Sequence, residues 1–319
     1  MPARKPPISR KLPVMLVKIL GSAAGGAFPQ WNCGCPNCRA VRSGAFRGKP
    51  RSQTQVAISA DGGHWLLLGA SPDLRSQIEA ARELHPREAS RNSPIAGVLL
   101  ANADVDHVLG TLLLRELHPL RIYATASVQS ILRQDNSMFA MLQRVPGQVI
   151  WETVRPGAEF AVSGPNGVET GIRCRGLSLA SHYPAYAGSR RQALDLAEAS
   201  LGFLVDAPGG RRLGYFPAVP GLTGQLIHDF EACDVLLFDG TFWSDDELIR
   251  AQGGGQTARQ MGHVPVEETL KQLAVLHRPR KIFLHINNTN PILDEASPER
   301  RQARNAGWEV AEDGWQFDL

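Results

Sequence analysis

Three apolar runs, each ending abruptly in polar residues, constrain this chain more than any other feature. They are "GVLLANADVDH" from Gly97, "CDVLLFDGTFW" from Cys233 and "KIFLHINNTNP" from Lys281. A strand that is apolar at successive positions has no face for water, so it belongs inside a sheet covered on both sides, the setting of parallel strands in layered α/β folds. Where such strands stop, polar side chains are presented at the edge at which α/β folds bind ligands. Asp106, His107, Asp239 and His285 all stand at such ends. The rest of the chain alternates in keeping with an α/β fold. Strands are expected at Leu16–Leu20, Gln55–Ser59, Trp65–Gly69 and Gly97–Ala101. "DHVLGTLLLREL" carries Val108, Leu109, Leu112, Leu113 and Leu117 at helical spacing, as does 266–276 with Val266, Leu270, Leu273 and Leu276. Ser297, Pro298 and Gly307 supply the cap, first position and terminator of a further helix. "WEVAEDGWQFDL" at the C-terminus reads as a hairpin.

With 43% hydrophobic and 20% charged residues the chain can bury a core, and a net charge of +3 over 319 residues makes no concentrated basic face. That speaks against nucleic acid and against an anionic membrane surface as partners, and for a small molecule or peptide. No apolar run reaches the roughly 18 residues of a membrane helix, and "VMLVKIL" after the basic start is too short for a secretory signal. The expected location is the cytoplasm. Residues 1–14 read as a disordered basic, Pro-rich tail, with Met15 as an alternative start, and 15–319 as the folded part.

"WNCGCPNC" packs Cys33, Cys35 and Cys38, three of five cysteines, into six positions. Three thiols this close cannot form independent disulfides, whereas one tetrahedral Zn²⁺ collects three thiolates from a tight loop and a fourth ligand from elsewhere. A Cys35–Cys38 redox pair is the alternative reading. His263, after a glycine and at a helix start in "MGHVPV", is the expected fourth ligand of a structural zinc. Cys174 and Cys233 lie in strand-like segments and read as small buried hydrophobes.

"NADVDH" at 102–107 resembles the metallo-β-lactamase signature H-x-H-x-D-H, with Asn102 and Asp104 in place of its first two histidines. Asp106 and His107 survive, and with His285 they make two imidazoles and one carboxylate, the set that leaves positions open on a non-haem Fe(II). An Asp–His pair at a helix start can also be a simple cap. Longer stretches carry a more specific likeness. "ILGSAAGGAFPQWNCGCPNC", "LLLGASPDLRSQI", "NADVDHVLGTLLLRE", "LLFDGTFWSDDE", "MGHVP" and "FLHINNTNPILDEASPER", in this order, resemble the pyrroloquinoline quinone (PQQ) biosynthesis protein B family of the metallo-β-lactamase fold superfamily, from about Val17 to Leu319.

The resemblance implies a single-domain, four-layered αββα sandwich with its site at strand ends along one edge. It implies an oxidoreductase, a non-haem Fe(II)-dependent hydroxylase that uses O₂ on the tyrosine ring of a cross-linked Glu-Tyr intermediate cut from a precursor peptide, in company with other PQQ-pathway proteins. The active-site iron would be held by Asp106, His107 and His285, with Asp239 either a further ligand or the acceptor that orients a ligating imidazole. A phosphodiesterase of the same fold holds zinc with a cysteine-rich loop and a late histidine, which by analogy also points to Cys33, Cys35, Cys38 and His263. Hydrolytic relatives bring a bridging aspartate from a hairpin strand where this chain has Pro217 and Ala218. The segment 178–200 departs most from the family. There Tyr186 and Arg190 are expected to meet substrate, Arg190 and Arg191 through bidentate contacts to carboxylates, and His182 is a loop histidine of open role. Two other readings stand beside the hydroxylase: a carrier that assists export of the finished quinone, and a hydrolase of the parent superfamily.

Overall fold

The computed structural model describes residues 15–87 and 91–319, so the expected disordered tail at 1–14 lies outside the described residues. Among the described residues, fourteen strands form two seven-stranded sheets. In chain order they are β1 (Leu16–Gly21), β2 (Gln55–Ser59), β3 (Trp65–Leu68), β4 (Ile95–Leu99), β5 (Leu120–Ala124), β6 (Val149–Thr153), β7 (Glu159–Ser163), β8 (Glu169–Ser178), β9 (Leu201–Asp206), β10 (Arg212–Phe216), β11 (Val235–Asp239), β12 (Arg280–Leu284), β13 (Trp308–Val310) and β14 (Gln316–Asp318). The first sheet runs β14-β1-β2-β3-β4-β5-β6 and the second β13-β12-β11-β10-β9-β8-β7. Strands β3 to β6 are mutually parallel, as are β10 to β13.

The alternation of side chains explains the layering. In β12, Ile282 and Leu284 join the core between the sheets with Val17, Val56, Leu99 and Phe203, while Phe283 joins the outer core. The helices α1 (Pro36–Arg42), α2 (Leu74–Ala80), α3 (Val105–Val108), α4 (Ala126–Arg133), α5 (Gly224–Glu231), α6 (Glu247–Gln252), α7 (Val266–Gln272) and α8 (Pro298–Asn305) complete the outer layers. Leu74 and Ile131 pack on the outside of the first sheet; Phe230, Leu270 and Ala303 pack on the outside of the second. The expected four-layered αββα sandwich is the fold that forms. Among the described residues no helix is long and apolar enough to cross a membrane.

Two local expectations are corrected. The C-terminal residues make no hairpin: β13 lies parallel to β12 in the second sheet, and β14 runs antiparallel to β1 in the first. Ala311 N donates to Phe283 O and Gly314 N to Ile19 O, so each side of the turn-like "AEDG" is claimed by a different sheet. The helix expected from Asp106 to Leu117 is only one α-turn, α3, followed by a 3-10 segment at Leu109–Leu114. The cause is backbone docking. His107 O accepts from Ala70 N at 2.7 Å and Gly110 N donates to Ala70 O at 2.8 Å, taking both groups out of the helical ladder. Gly110 permits this, since a Cβ there would sit 2.2 Å from Ser71 O.

Candidate metal centre

The ends of the buried parallel strands meet at the seam between the sheets. Leu201 N donates to Ala101 O at 2.8 Å, tying the chain beyond β4 to β9, and Ile286 N donates to Ser22 O at 3.0 Å, tying the chain beyond β12 to β1. A pocket of about 350 Å³ opens there, lined among others by Asp106, His107, His263 and His285, within the size range of small-molecule sites.

Asp106, His107 and His285 each aim one ligand atom into a common space, within 4.8 Å of one another. His285 Nε2 is 3.1 Å from Asp106 Oδ2, and His107 Nε2 is 3.9 Å from the same oxygen. Burial pushes Asp106 up, but the imidazoles of His107 and His285 outweigh it and hold the carboxyl well below its usual range. His107 is 1% exposed, its Nδ1 lacks a hydrogen-bond partner among the described residues, and burial pushes it down to about 4. A neutral buried imidazole beside an ionised carboxylate is the protonation state a cation requires of its ligands. His285 takes φ 58°, a left-handed conformation that a non-glycine residue adopts at a cost and that recurs at functional sites.

Asp239, fully buried, has both oxygens engaged. Oδ2 accepts from Val219 N and His263 Nδ1, each at 2.8 Å, and Oδ1 accepts from Thr241 N at 3.0 Å and Thr241 Oγ1 at 2.6 Å. Burial opposes ionisation, but His263, His285 and Thr241 together lower its pKa. A carboxylate with this many donors is the partner that orients imidazoles, and it has little left to offer a metal. The rings of His107, His285 and His263 stack in a row, with centroids 5.2 and 5.4 Å apart.

The expectation that His263 joins the cysteines is thereby corrected: Asp239 and the His285 ring hold it in the pocket. Cys33, Cys35 and Cys38 cluster without it, their sulfurs within 4.8 Å of one another. Cys35 caps α1, its thiol accepting from Cys38 N at 3.5 Å, with Pro36 at the first helical position. The Asn288 carboxamide occupies the fourth corner, with Nδ2 at 3.1, 3.6 and 3.4 Å from the sulfurs of Cys33, Cys35 and Cys38. Burial pushes Cys38 up to about 11, while for Cys33 hydrogen bonds from Cys35, Cys38 and Asn288 overcome burial and lower the pKa.

The pocket is also lined by Asn102, half-buried Asp104 and Ala218, the positions that the resemblance sets against the first two histidines and the bridging aspartate of hydrolytic relatives. Asp104 is pushed up to about 6 by burial and by Asp106.

The family model for the β-lactamase superfamily domain matches residues 64–286. Coenzyme PQQ synthesis protein B of Azotobacter vinelandii is 42% identical over 308 residues, covering 96% of this chain and 100% of that protein. The protein of the same name from Methylobacterium radiotolerans is 41% identical over 309 residues, at 96% and 100% coverage. The crystal structure of Zn²⁺-bound PqqB from Methylobacterium extorquens superposes with a TM-score of 0.86 at 40% identity, covering 95% of this chain and 100% of the other. The chain belongs to the coenzyme PQQ synthesis protein B family. A diphosphatase of the PhnP family, at 16% identity and a TM-score of 0.66 over 97% of this chain and 98% of the other, shares the fold alone.

Membership in the PqqB family places the chain in PQQ biosynthesis, and its superfamily fold is one of metal-dependent catalysis. Not every residue singled out in the sequence reaches the PqqB-type pocket. Arg190 pairs with Asp135, at the end of α4, and Arg190 does not line the pocket. Tyr186 does not line the pocket either; its hydroxyl donates to Ala103 O. Ser181 and His182 line the wall, and His182 is lowered by burial, His263 and Arg191. Two participants escaped sequence reasoning. Thr241 lies two positions after Asp239, and Asn288 three after His285; the repeated amides of "HINNTN" were the available signal for the second.

Proposed function

We propose that this chain is an Fe(II)- and O₂-dependent hydroxylase acting on the tyrosine ring of the peptide-derived Glu-Tyr intermediate in PQQ biosynthesis. The observation that carries this reading is the convergence of Asp106, His107 and His285 on one face of a pocket in which Asn102, Asp104 and Ala218 stand in place of a second metal's ligands. A ferrous ion held by two imidazoles and one carboxylate keeps coordination positions for O₂ and substrate. The chain's own residues do the rest. Asp239 fixes the His263 ring through Nδ1, leaving Nε2 to exchange a proton with a phenolic substrate. Phe242 and His182 line the pocket and offer the substrate ring flat surfaces to lie against. The Cys33, Cys35, Cys38 and Asn288 cluster would hold a structural zinc that takes no part in the reaction. The substrate reaches the pocket in the cytoplasm from upstream pathway proteins.

Hydroxylation places one oxygen atom of O₂ on the ring and reduces the other to water with two electrons from an external reductant, so the test is anaerobic loading with Fe(II), then exposure to O₂, ascorbate and the Glu-Tyr compound, with product mass as readout. Addition of oxygen to the tyrosine by the parent and its loss in His107→Ala is the expected result. Unchanged substrate from protein with iron in the pocket overturns the reading.

A further inference from the structure

We infer that Thr241 is the positioning residue of the pocket: its hydroxyl, fixed by Asp239, sets His285 as the Nδ1–H tautomer and turns the Nε2 lone pair toward Asp106. The inference rests on the pocket being a metal site and is independent of what the metal does there.

The argument is a count of protons. Thr241 Oγ1 lies 2.6 Å from Asp239 Oδ1, 2.8 Å from His285 Nδ1, 2.9 Å from His285 O and 3.1 Å from His263 Nδ1. A hydroxyl carries one proton and accepts at its lone pairs. The shortest contact is to a buried ionised carboxylate, and hydrogen bonds to a charged acceptor are the stronger kind. Two acceptors share that proton, the Asp239 carboxylate at 2.6 Å and the His285 carbonyl at 2.9 Å, with the charged and nearer one favoured, and on either of them it leaves the hydroxyl an acceptor toward Nδ1. With the proton so engaged, Nδ1 of His285 is satisfied only by donating to the hydroxyl oxygen. Donation of the hydroxyl proton to Nδ1 would yield the opposite tautomer, at the cost of the bond to Asp239. His263 is set the same way by the carboxylate itself, through Nδ1 at 2.8 Å from Oδ2. One Thr–Asp pair thus orients two imidazoles.

The consequence lies on the far side of the His285 ring. With Nδ1 protonated, Nε2 presents a lone pair 3.1 Å from Asp106 Oδ2, another acceptor. Two acceptors at that distance repel unless a positive charge sits with them, so the Thr241 hydroxyl prepares the position for a cation. The backbone supports the same residue: Asn287 N donates to Thr241 O at 3.0 Å, and Gly240 N to Leu284 O at 2.7 Å. These bonds close the ends of β11 and β12 around His285, whose φ of 58° would otherwise relax.

The experiment uses Zn²⁺ alone as the probe, measured by chelator competition on protein whose cysteine cluster keeps its own metal. Thr241→Val removes the hydroxyl at nearly constant volume and should weaken pocket zinc by roughly 10- to 100-fold, the scale of losses on removing outer hydrogen-bond partners. Thr241→Ser keeps the hydroxyl and should bind zinc as the parent does. ¹⁵N imidazole spectra of the zinc-loaded parent should show His285 and His263 protonated at Nδ1. Parent-like affinity in Thr241→Val, equal weakening in Thr241→Ser, or Nε2–H at His285 overturns the proposal. Should Thr241→Val fail to fold, Thr241→Ser and the parent spectra decide it alone. A His285→Ala control separates the levels. If it retains pocket zinc, the metal-site reading itself falls; if it loses zinc while Thr241→Val does not, only the role of Thr241 falls.

Discussion

His107 shows what a residue pays to stand ready for a metal. Its pKa, pushed down to about 4 chiefly by burial and with Asp106 opposing, lies below the roughly 6.5 of an unfolded histidine. Between those values the unfolded chain binds the proton and the folded one does not, so the His107 contribution is fully present above pH 6.5 and is lost as pH falls toward 4. Asp104, raised to about 6, acts with the opposite sign over part of the same window. The readout is therefore the difference between chelator-treated parent and His107→Gln. Denaturant unfolding from pH 7 to 4.5 should fall more steeply in the parent, and equal slopes would contradict the buried neutral imidazole. Asp239 calls for a second comparison. Because its four donors leave it to orient His263 and Thr241, Asp239→Asn should reduce activity by about 10- to 100-fold without the complete loss expected of His107→Ala. At this scale Asp106, His107 and His285 were legible because buried apolar runs stop at them. His263 was misplaced because a glycine before it and a helix after it say where the backbone turns, not which of two clusters the ring faces. Asn288 and Thr241 were invisible because an amide and a hydroxyl announce no metal chemistry.

Among the elements, the cysteine loop and the chain beyond β12 are built as one piece. Asn288 reaches the sulfurs, and Asn37 Nδ2 donates to the carbonyls of Asn288 and Asn290, each at 3.2 Å. Only two residues separate Asn288 from His285. Structural zinc in a small finger contributes on the order of 10 kcal/mol, of which a preformed sandwich realises a fraction. Cys35→Ser should lower bound zinc and thermal stability together, and Asn288→Ala should do so to a lesser degree; His263→Ala should leave the cysteine zinc in place. Metal analysis beside thermal unfolding checks all three, and loss of cysteine-loop zinc in His263→Ala would restore the ligand set expected from sequence. The 3-10 segment Ala185–Ala193 is fastened by Arg190 to Asp135 and by Tyr186 to Ala103 O. Arg190 is exposed, so its ion pair contributes about 0–1 kcal/mol. Arg190→Ala should leave KM within about a factor of 2 and stability within that margin, as kinetics and melting will show; a large rise in KM would return Arg190 to the substrate. Buried strands were readable because continuous apolarity has few other uses. The α3 helix was overread because its hydrogen bonds are diverted to Ala70, a partner nearly forty residues earlier in the chain.

For the whole molecule, the decisive arrangement is that two parallel half-sheets end at the same seam. Alternating strands and helices made the layered α/β class legible, and the family likeness made the sandwich legible. The pairing of β13 with one sheet and β14 with the other was not, since each strand has three residues and nothing in "WEV" or "QFD" names its partner. The seam also limits what the pocket can become. Asp106, His107 and His285 sit past the strand ends, outside the core that Leu99, Leu237 and Leu284 close beneath them. Alanine at any of the three should therefore abolish pocket iron and O₂-dependent product while leaving the cooperative unfolding transition near that of the parent. Asp104→His should not recover hydrolysis. It restores one imidazole, but Asn102 and Ala218 still withhold the partners of a second metal, and Asp239 is committed to Val219, Thr241 and His263. The expected outcome is tighter resting metal with slower hydroxylation, read from chelator competition and product mass on one preparation. Cleavage of a generic phosphodiester by that variant would show that a single histidine separates this pocket from the hydrolytic members of its fold.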